Sequence, residues 1–186
     1  MRGRPFLQIP GPTNIPDRIL RAMDRPVVDH RSPEFAALTR EVLPGLREVF
    51  GTSRGAVVLY PASGTGAWEA SLVNVLAPGD RVLAFNYGHF SALFAQTARN
   101  LGFEVDEVPL RWGQELPPDE VERRLRADRG PRPYRAVLVV HNETSTGVRS
   151  DVRAIRQAVD AVGHPALLIV DTVSSLASME FRLDEW

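Results

Sequence analysis

Three short segments concentrate the residue types that can do chemistry, and each follows an apolar run. The first is Tyr60-Pro61-Ala62-Ser63-Gly64-Thr65-Gly66-Ala67-Trp68-Glu69. A turn of small residues opening a helix exposes backbone N–H groups at the helix N-terminus, where the dipole and one or two hydroxyls can hold a phosphate. The segment matches neither the Walker A pattern, which needs Gly-Lys-Ser/Thr, nor GxGxxG. A tight turn with Ser63 as the helix cap accounts for it equally well.

The second segment is Leu167-Leu168-Ile169-Val170-Asp171-Thr172-Val173-Ser174-Ser175, an apolar strand delivering a carboxylate at its C-terminal end. In open α/β sheets ligands bind at that edge, and a carboxylate there can keep a ring nitrogen protonated. The competing reading of Asp171 is a helix cap or loop acid. The third is Val140-His141-Asn142-Glu143-Thr144-Ser145-Thr146-Gly147. His141 and Glu143 suggest a metal, but two ligands with no third in register make a weak case. Hydroxyls at 144 to 146 fit better as ligand donors, with a self-satisfied turn network as the alternative. Phe90, within Tyr87-Gly88-His89-Phe90, reads on composition as core.

These segments need a scaffold, and the periodicity supplies one. Apolar runs at 56–60, 81–85, 104–110, 136–141 and 167–171 alternate with helical patterns, which argues for a mostly parallel sheet with right-handed crossovers. The runs at 81–85, 136–141 and 167–171 are continuous rather than alternating, as strands covered on both faces are. Ser32-Pro33-Glu34 starts a helix whose apolar positions, Phe35, Leu38, Val42, Leu46, Val49 and Phe50, run to Gly51, with a kink expected at Pro44. Further helices are expected over 66–76, 89–101, 118–127 and 151–162. The expected architecture is a three-layer α/β/α fold.

Composition excludes several classes of function. The 186 residues carry 22 basic and 23 acidic side chains and no Cys, which removes disulfide scaffolds, cysteine-ligated metals and the basic excess of a nucleic-acid binder. No apolar run approaches the roughly 20 residues that span a bilayer, and no signal-like run follows Met1-Arg2-Gly3-Arg4, so the expected address is cytoplasmic. All the basic residues are Arg; the chain has no Lys.

Taken together, the words PGPTNIPDRILRAM, DHRSPEF, SGTGAWEASLVNVLAPGDRV, HNETSTGV and HPALLIVDTVSSL resemble the class V aminotransferases, which are fold type I pyridoxal phosphate (PLP) enzymes. They look most similar to the branch that moves an amino group from serine to glyoxylate. The resemblance implies a large-domain fold in which Ser63, Gly64 and Thr65 bind the cofactor phosphate and Phe90 lies against the pyridine ring. Thr144 reaches the phenolic oxygen, Asp171 pairs with the ring nitrogen and Val173 packs on the other ring face. Pro10, Gly11 and Pro12 resemble the loop lining the substrate site. By the same resemblance the partners are small amino acids, 2-oxo acids and a second copy in a homodimer.

The family reaction needs a lysine that bonds the cofactor covalently and then moves a proton, which Arg cannot do because its pKa is too high. The resemblance places that lysine, on a Ser-x-Gln-Lys-like segment, beyond residue 186. It divides the chain into an N-terminal segment and helix over 1–50 and a partial large domain over 51–186, without the small domain. The absence of a closing helix after Asp184-Glu185-Trp186 agrees with an N-terminal part of a longer chain. Alanine–glyoxylate and ureidoglycine–glyoxylate transfer remain open, as does a truncated, non-catalytic module that binds the cofactor or dimerises. A dinucleotide fold is excluded by the first turn, and the motif words fit a cysteine desulfurase poorly.

Overall fold

In a computed structural model, which describes Gly3 and residues 6–186, four parallel strands form the sheet. Strand β1 (Arg81–Asn86) pairs with β2 (Glu104–Pro109) on one side and β3 (Tyr134–Val140) on the other. After a two-stranded ribbon, β4 (Asn142–Glu143) with β5 (Val148–Arg149), strand β6 (Leu167–Asp171) adds outside β3. The spatial order is β2-β1-β3-β6. The basic start of the chain, at Met1, Arg2 and Arg4, lies outside the described residues.

The chain moves one way across the sheet from β1 to β2 and the opposite way from β2 to β3 and on to β6. Right-handed crossovers therefore place α4 (His89–Asn100) on one face and α5 (Pro118–Ala127) and α6 (Val152–Val162) on the other. Helix α3 (Gly64–Val75) packs beside α4, and α5 packs on α6. Between these layers Val82, Leu83, Ala84 and Phe85 of β1 and Ala136 to Val140 of β3 are buried.

The reversal makes the carboxyl ends of β1 and β3 the switch point where such sheets bind ligands. The gap there has a specific cause. Pairing of β1 with β3 is aligned at Val82↔Ala136 and Leu83↔Val137. Further along, the buried Tyr87 hydroxyl accepts from Val140 N–H at 2.7 Å and donates to Val140 C=O at 2.8 Å, standing where a strand neighbour would. At the opposite end of the sheet, Asp128 accepts from Arg81 Nη1 (2.9 Å) and Tyr134 N–H (2.6 Å), and His164 Nε2 lies 3.2 Å away.

The helix starting at Ser32 forms as α2 (Pro33–Phe50): Ser32 Oγ accepts from Phe35 N–H at 3.1 Å, and Gly51 ends it in the left-handed region at φ 61°. A Cβ on Gly51 would also lie 2.7 Å from Phe181 C=O. The helix continues through Pro44. None of its residues is buried, and the same holds for α1 (Asp17–Met23), a short helix the periodicity does not reveal.

Two expectations need correction. Residues 56–60 form no strand: Val58, Leu59 and Tyr60 are exposed, and among the described residues no strand pairs with them. A β-branched run without a ladder partner stays irregular. Strand β6, expected to be covered on both faces, is only half-buried and Leu167 is exposed, because β6 is the sheet edge. Among the described residues no helix is long and apolar enough to cross a membrane.

Candidate cofactor site

Strand β6 ends on Asp171, which is 8% exposed. Its Oδ1 accepts from Val173 N–H at 2.7 Å and its Oδ2 from Trp68 Nε1–H at 3.0 Å. Among the described residues no cationic side chain pairs with it. Burial pushes its pKa above the ordinary carboxylate value despite these two bonds, and the nearby Glu143 charge adds to the rise. A buried carboxylate raised in this way is stabilised by a cation, and a protonated ring nitrogen would supply one.

Opposite it, α3 opens at Gly64. Ser63 Oγ accepts from Gly66 N–H at 3.4 Å, so the helix-cap reading of Ser63 holds. The N–H groups of Gly64 and Thr65 have no acceptor among the described residues and stand at the positive end of the helix dipole. Space is tight here: a Cβ at Gly66 would lie 2.7 Å from Ala62 Cβ, and one at Gly64 would press on Val173 Cγ2 at 3.0 Å.

The β4 turn supplies the third wall. Thr144 Oγ1 lies 2.8 Å from Ser174 Oγ, which also accepts from Asn142 Nδ2 (2.9 Å) and donates to Asn142 C=O (3.0 Å). Ser145 faces the other way, donating from both N–H and Oγ to Glu143 Oε1. The turn-network reading holds for Ser145 and Thr146, whose hydroxyls bond to Glu143; of the three hydroxyl residues expected as ligand donors, Thr144 and Ser145 border the cavity and Thr146 does not.

These pieces enclose a pocket of about 530 Å³ lined by Pro10, Gly11, Gly64, Thr65, Trp68, Phe90, Val140, Asn142, Thr144, Ser145, Asp171, Val173 and Ser174. Of the residues expected at the site, only Ser63 and Pro12 lie off its walls. Phe90 borders the pocket as well as packing on the core, so the composition-based reading of it is half the answer. Trp68, Asn142 and Ser174 are lining residues to which the motifs gave no role. For Trp68 the available signal was its i, i+4 spacing from Gly64, which puts both on one helix face.

The weak metal reading of His141 and Glu143 finds no support. Among the described residues no group of three potential ligands converges. His141 is buried against Phe181 and Trp186, with ring centroids at 6.0 and 6.5 Å, and Glu143 is committed to backbone N–H groups.

A mostly parallel sheet, a helix N-terminus at its carboxyl edge and a buried carboxylate lining the same pocket agree with the large-domain fold of type I PLP enzymes. Residues 6–186 match the family model described as aminotransferase class-V, and the chain belongs to that family. It is 50% identical over 184 residues to the serine–glyoxylate aminotransferase of Methylorubrum extorquens, covering 99% of this chain and 46% of that protein. It is 48% identical to the L-aspartate–glyoxylate aminotransferase of Paracoccus denitrificans, covering 96% and 45%. The crystal structure of ureidoglycine–glyoxylate aminotransferase from Bacillus subtilis superposes with a TM-score of 0.85 at 35% identity, covering 96% of this chain and 44% of that one. The chain thus spans about half the length of the relatives it matches.

Proposed function

We propose that this chain is the cofactor-binding part of a PLP-dependent aminotransferase that takes an amino group from serine and passes it to glyoxylate, giving hydroxypyruvate and glycine. The observation that carries the reading is Asp171, buried, with no cationic partner among the described residues, in a pocket whose opposite wall is a helix N-terminus with free N–H groups. Bound there, the pyridine ring supplies an electron sink for the carbanion at the substrate α-carbon.

The chain's own residues would do the rest by binding and orienting. The Gly64 and Thr65 N–H groups, with the Ser63 turn, hold the phosphate. Asp171 keeps the proton on the ring nitrogen, and Trp68 and Val173 keep Asp171 in place. Phe90 and Val173 pack against the ring, and Thr144 reaches its phenolic oxygen. Pro10, Gly11 and Pro12 line the substrate side. Covalent attachment and the proton shuttle call for a lysine, and these 186 residues contain none.

Serine is taken as donor on the 50% identity to a serine–glyoxylate enzyme, with the aspartate–glyoxylate relative nearly as similar at 48%. Alanine, aspartate and ureidoglycine are the competing donors. A homodimer is part of the proposal: α2 has no buried residue and carries the exposed Phe35, Leu38, Val42 and Val49, a stripe that a second copy would cover. One other reading is a non-catalytic module that binds PLP without turnover.

The test is an amino-transfer assay on the complete encoded chain loaded with PLP, with each donor supplied against glyoxylate. Glycine and hydroxypyruvate formed fastest from serine support the proposal. Faster turnover of another donor reassigns the substrate, and PLP binding without turnover supports the non-catalytic module.

A further inference from the structure

Helix α4 begins with a problem that its own sequence does not solve. Its N-cap is Gly88, which has no side chain to accept from the first N–H groups. The answer comes from a turn more than fifty residues later. His89 N–H donates to Ser145 Oγ at 2.9 Å, Phe90 N–H to Glu143 Oε1 at 3.2 Å and Ser91 N–H to Glu143 Oε2 at 2.9 Å. Ser145 closes the loop by donating from Oγ to Glu143 Oε1 at 2.7 Å.

Glu143 is fully buried, yet its carboxylate is held below its ordinary pKa. Burial alone would raise it; the Ser145 hydroxyl and the N–H groups of Ser91, Phe90 and Ser145 outweigh that. The arrangement also explains Gly88. Its backbone is extended, a conformation open to any residue, but a Cβ there would run into Cγ and Cδ of Glu143 and come within 2.7 Å of Oε2. Glycine leaves the channel through which the carboxylate reaches the helix.

We propose that Glu143 is a positioning residue of the pocket, a helix cap supplied from the facing wall that sets the α4 end carrying Phe90 against the turn carrying Thr144. Glu143 is not among the residues that line the pocket. Its action is indirect: it fixes the separation of an aromatic wall and a hydroxyl wall whose spacing must match a flat ring. The inference rests on the cofactor reading of that pocket, which it deepens.

The test is Glu143→Gln in the complete encoded chain. Gln keeps the shape but loses the charge and turns an amide donor toward N–H groups. Affinity for PLP is read by titration well below the unfolding temperature, with the circular dichroism of the cofactor band as a second readout. The control is Asp128→Asn, which removes a partly buried ion pair with Arg81 at the far end of the sheet. The expected result is a loss of PLP affinity of about tenfold with altered dichroism in Glu143→Gln, and unchanged affinity in Asp128→Asn despite a lower melting temperature. If Glu143→Gln does not fold, Glu143→Asp, which keeps the charge but retracts it by one methylene, is read the same way. Unchanged affinity and dichroism in the folded variant overturn the proposal, and so does an equal loss in the control. Failure of the unaltered chain to bind PLP overturns the cofactor reading and this inference with it.

Discussion

Trp68 donates its indole N–H to Asp171 Oδ2 at 3.0 Å, joining the second turn of α3 to the carboxyl end of β6 across 103 residues. The same indole stacks on Phe94 of α4, with ring centroids 4.8 Å apart and planes 17° from parallel. One side chain therefore ties three elements of the pocket together and holds its buried carboxylate in place.

Trp68→Phe keeps one aromatic ring for Phe94 but removes the N–H donor together with the second ring of the buried indole. Asp171 is then left with one hydrogen bond, and its pKa moves further up. The expected cost is at least about 1.5–3 kcal/mol of folding stability at neutral pH, the usual worth of a hydrogen bond to a charged group, with the lost ring packing adding to it, read by urea unfolding. A variant as stable as the parent contradicts this assignment.

Asp184 makes a different prediction, in acid. Thr52 Oγ donates to its Oδ1 at 2.6 Å and Ser53 donates from N–H and Oγ to its Oδ2, tying the end of α2 to the far end of the chain. The Thr52 hydroxyl first, then the Ser53 N–H, lower its pKa from 3.8 to about 2. Because the folded-state value lies below the unfolded one, this contribution is full above about pH 4 and lost as pH falls toward 2. Unfolding midpoints of the parent should fall through that window, while Asp184→Ala, less stable at neutral pH, should lose that part of the dependence. Parallel pH profiles for the two proteins would show that Asp184 is not a clamp.

Local signals made much of this molecule legible. The apolar run at 167–171 is β6, and Ser32-Pro33 with Gly51 brackets α2, because an apolar run and a capped helix write their boundaries into adjacent residues. The run at 56–60 has the same local propensity but no strand, since a ladder needs a neighbour that propensity does not encode. The polar density at 141–147 marks the site, but the sequence does not tell which way each side chain points. Glu143 reads at most as half of a weak metal pair, and its role as a helix cap emerges only when it is seen inserted under Gly88. Trp68 gains its role only through a partner 103 residues away.

Asp171 is the buried carboxylate of the proposed cofactor pocket, so the most direct measurement is a PLP titration of the folded chain beside Asp171→Ala, followed by absorbance. The prediction is saturable binding by the parent, weakened about 10- to 100-fold when Asp171 is removed. Equal affinity in the two proteins would contradict the pairing of Asp171 with the cofactor ring, and with it the assignment of this pocket.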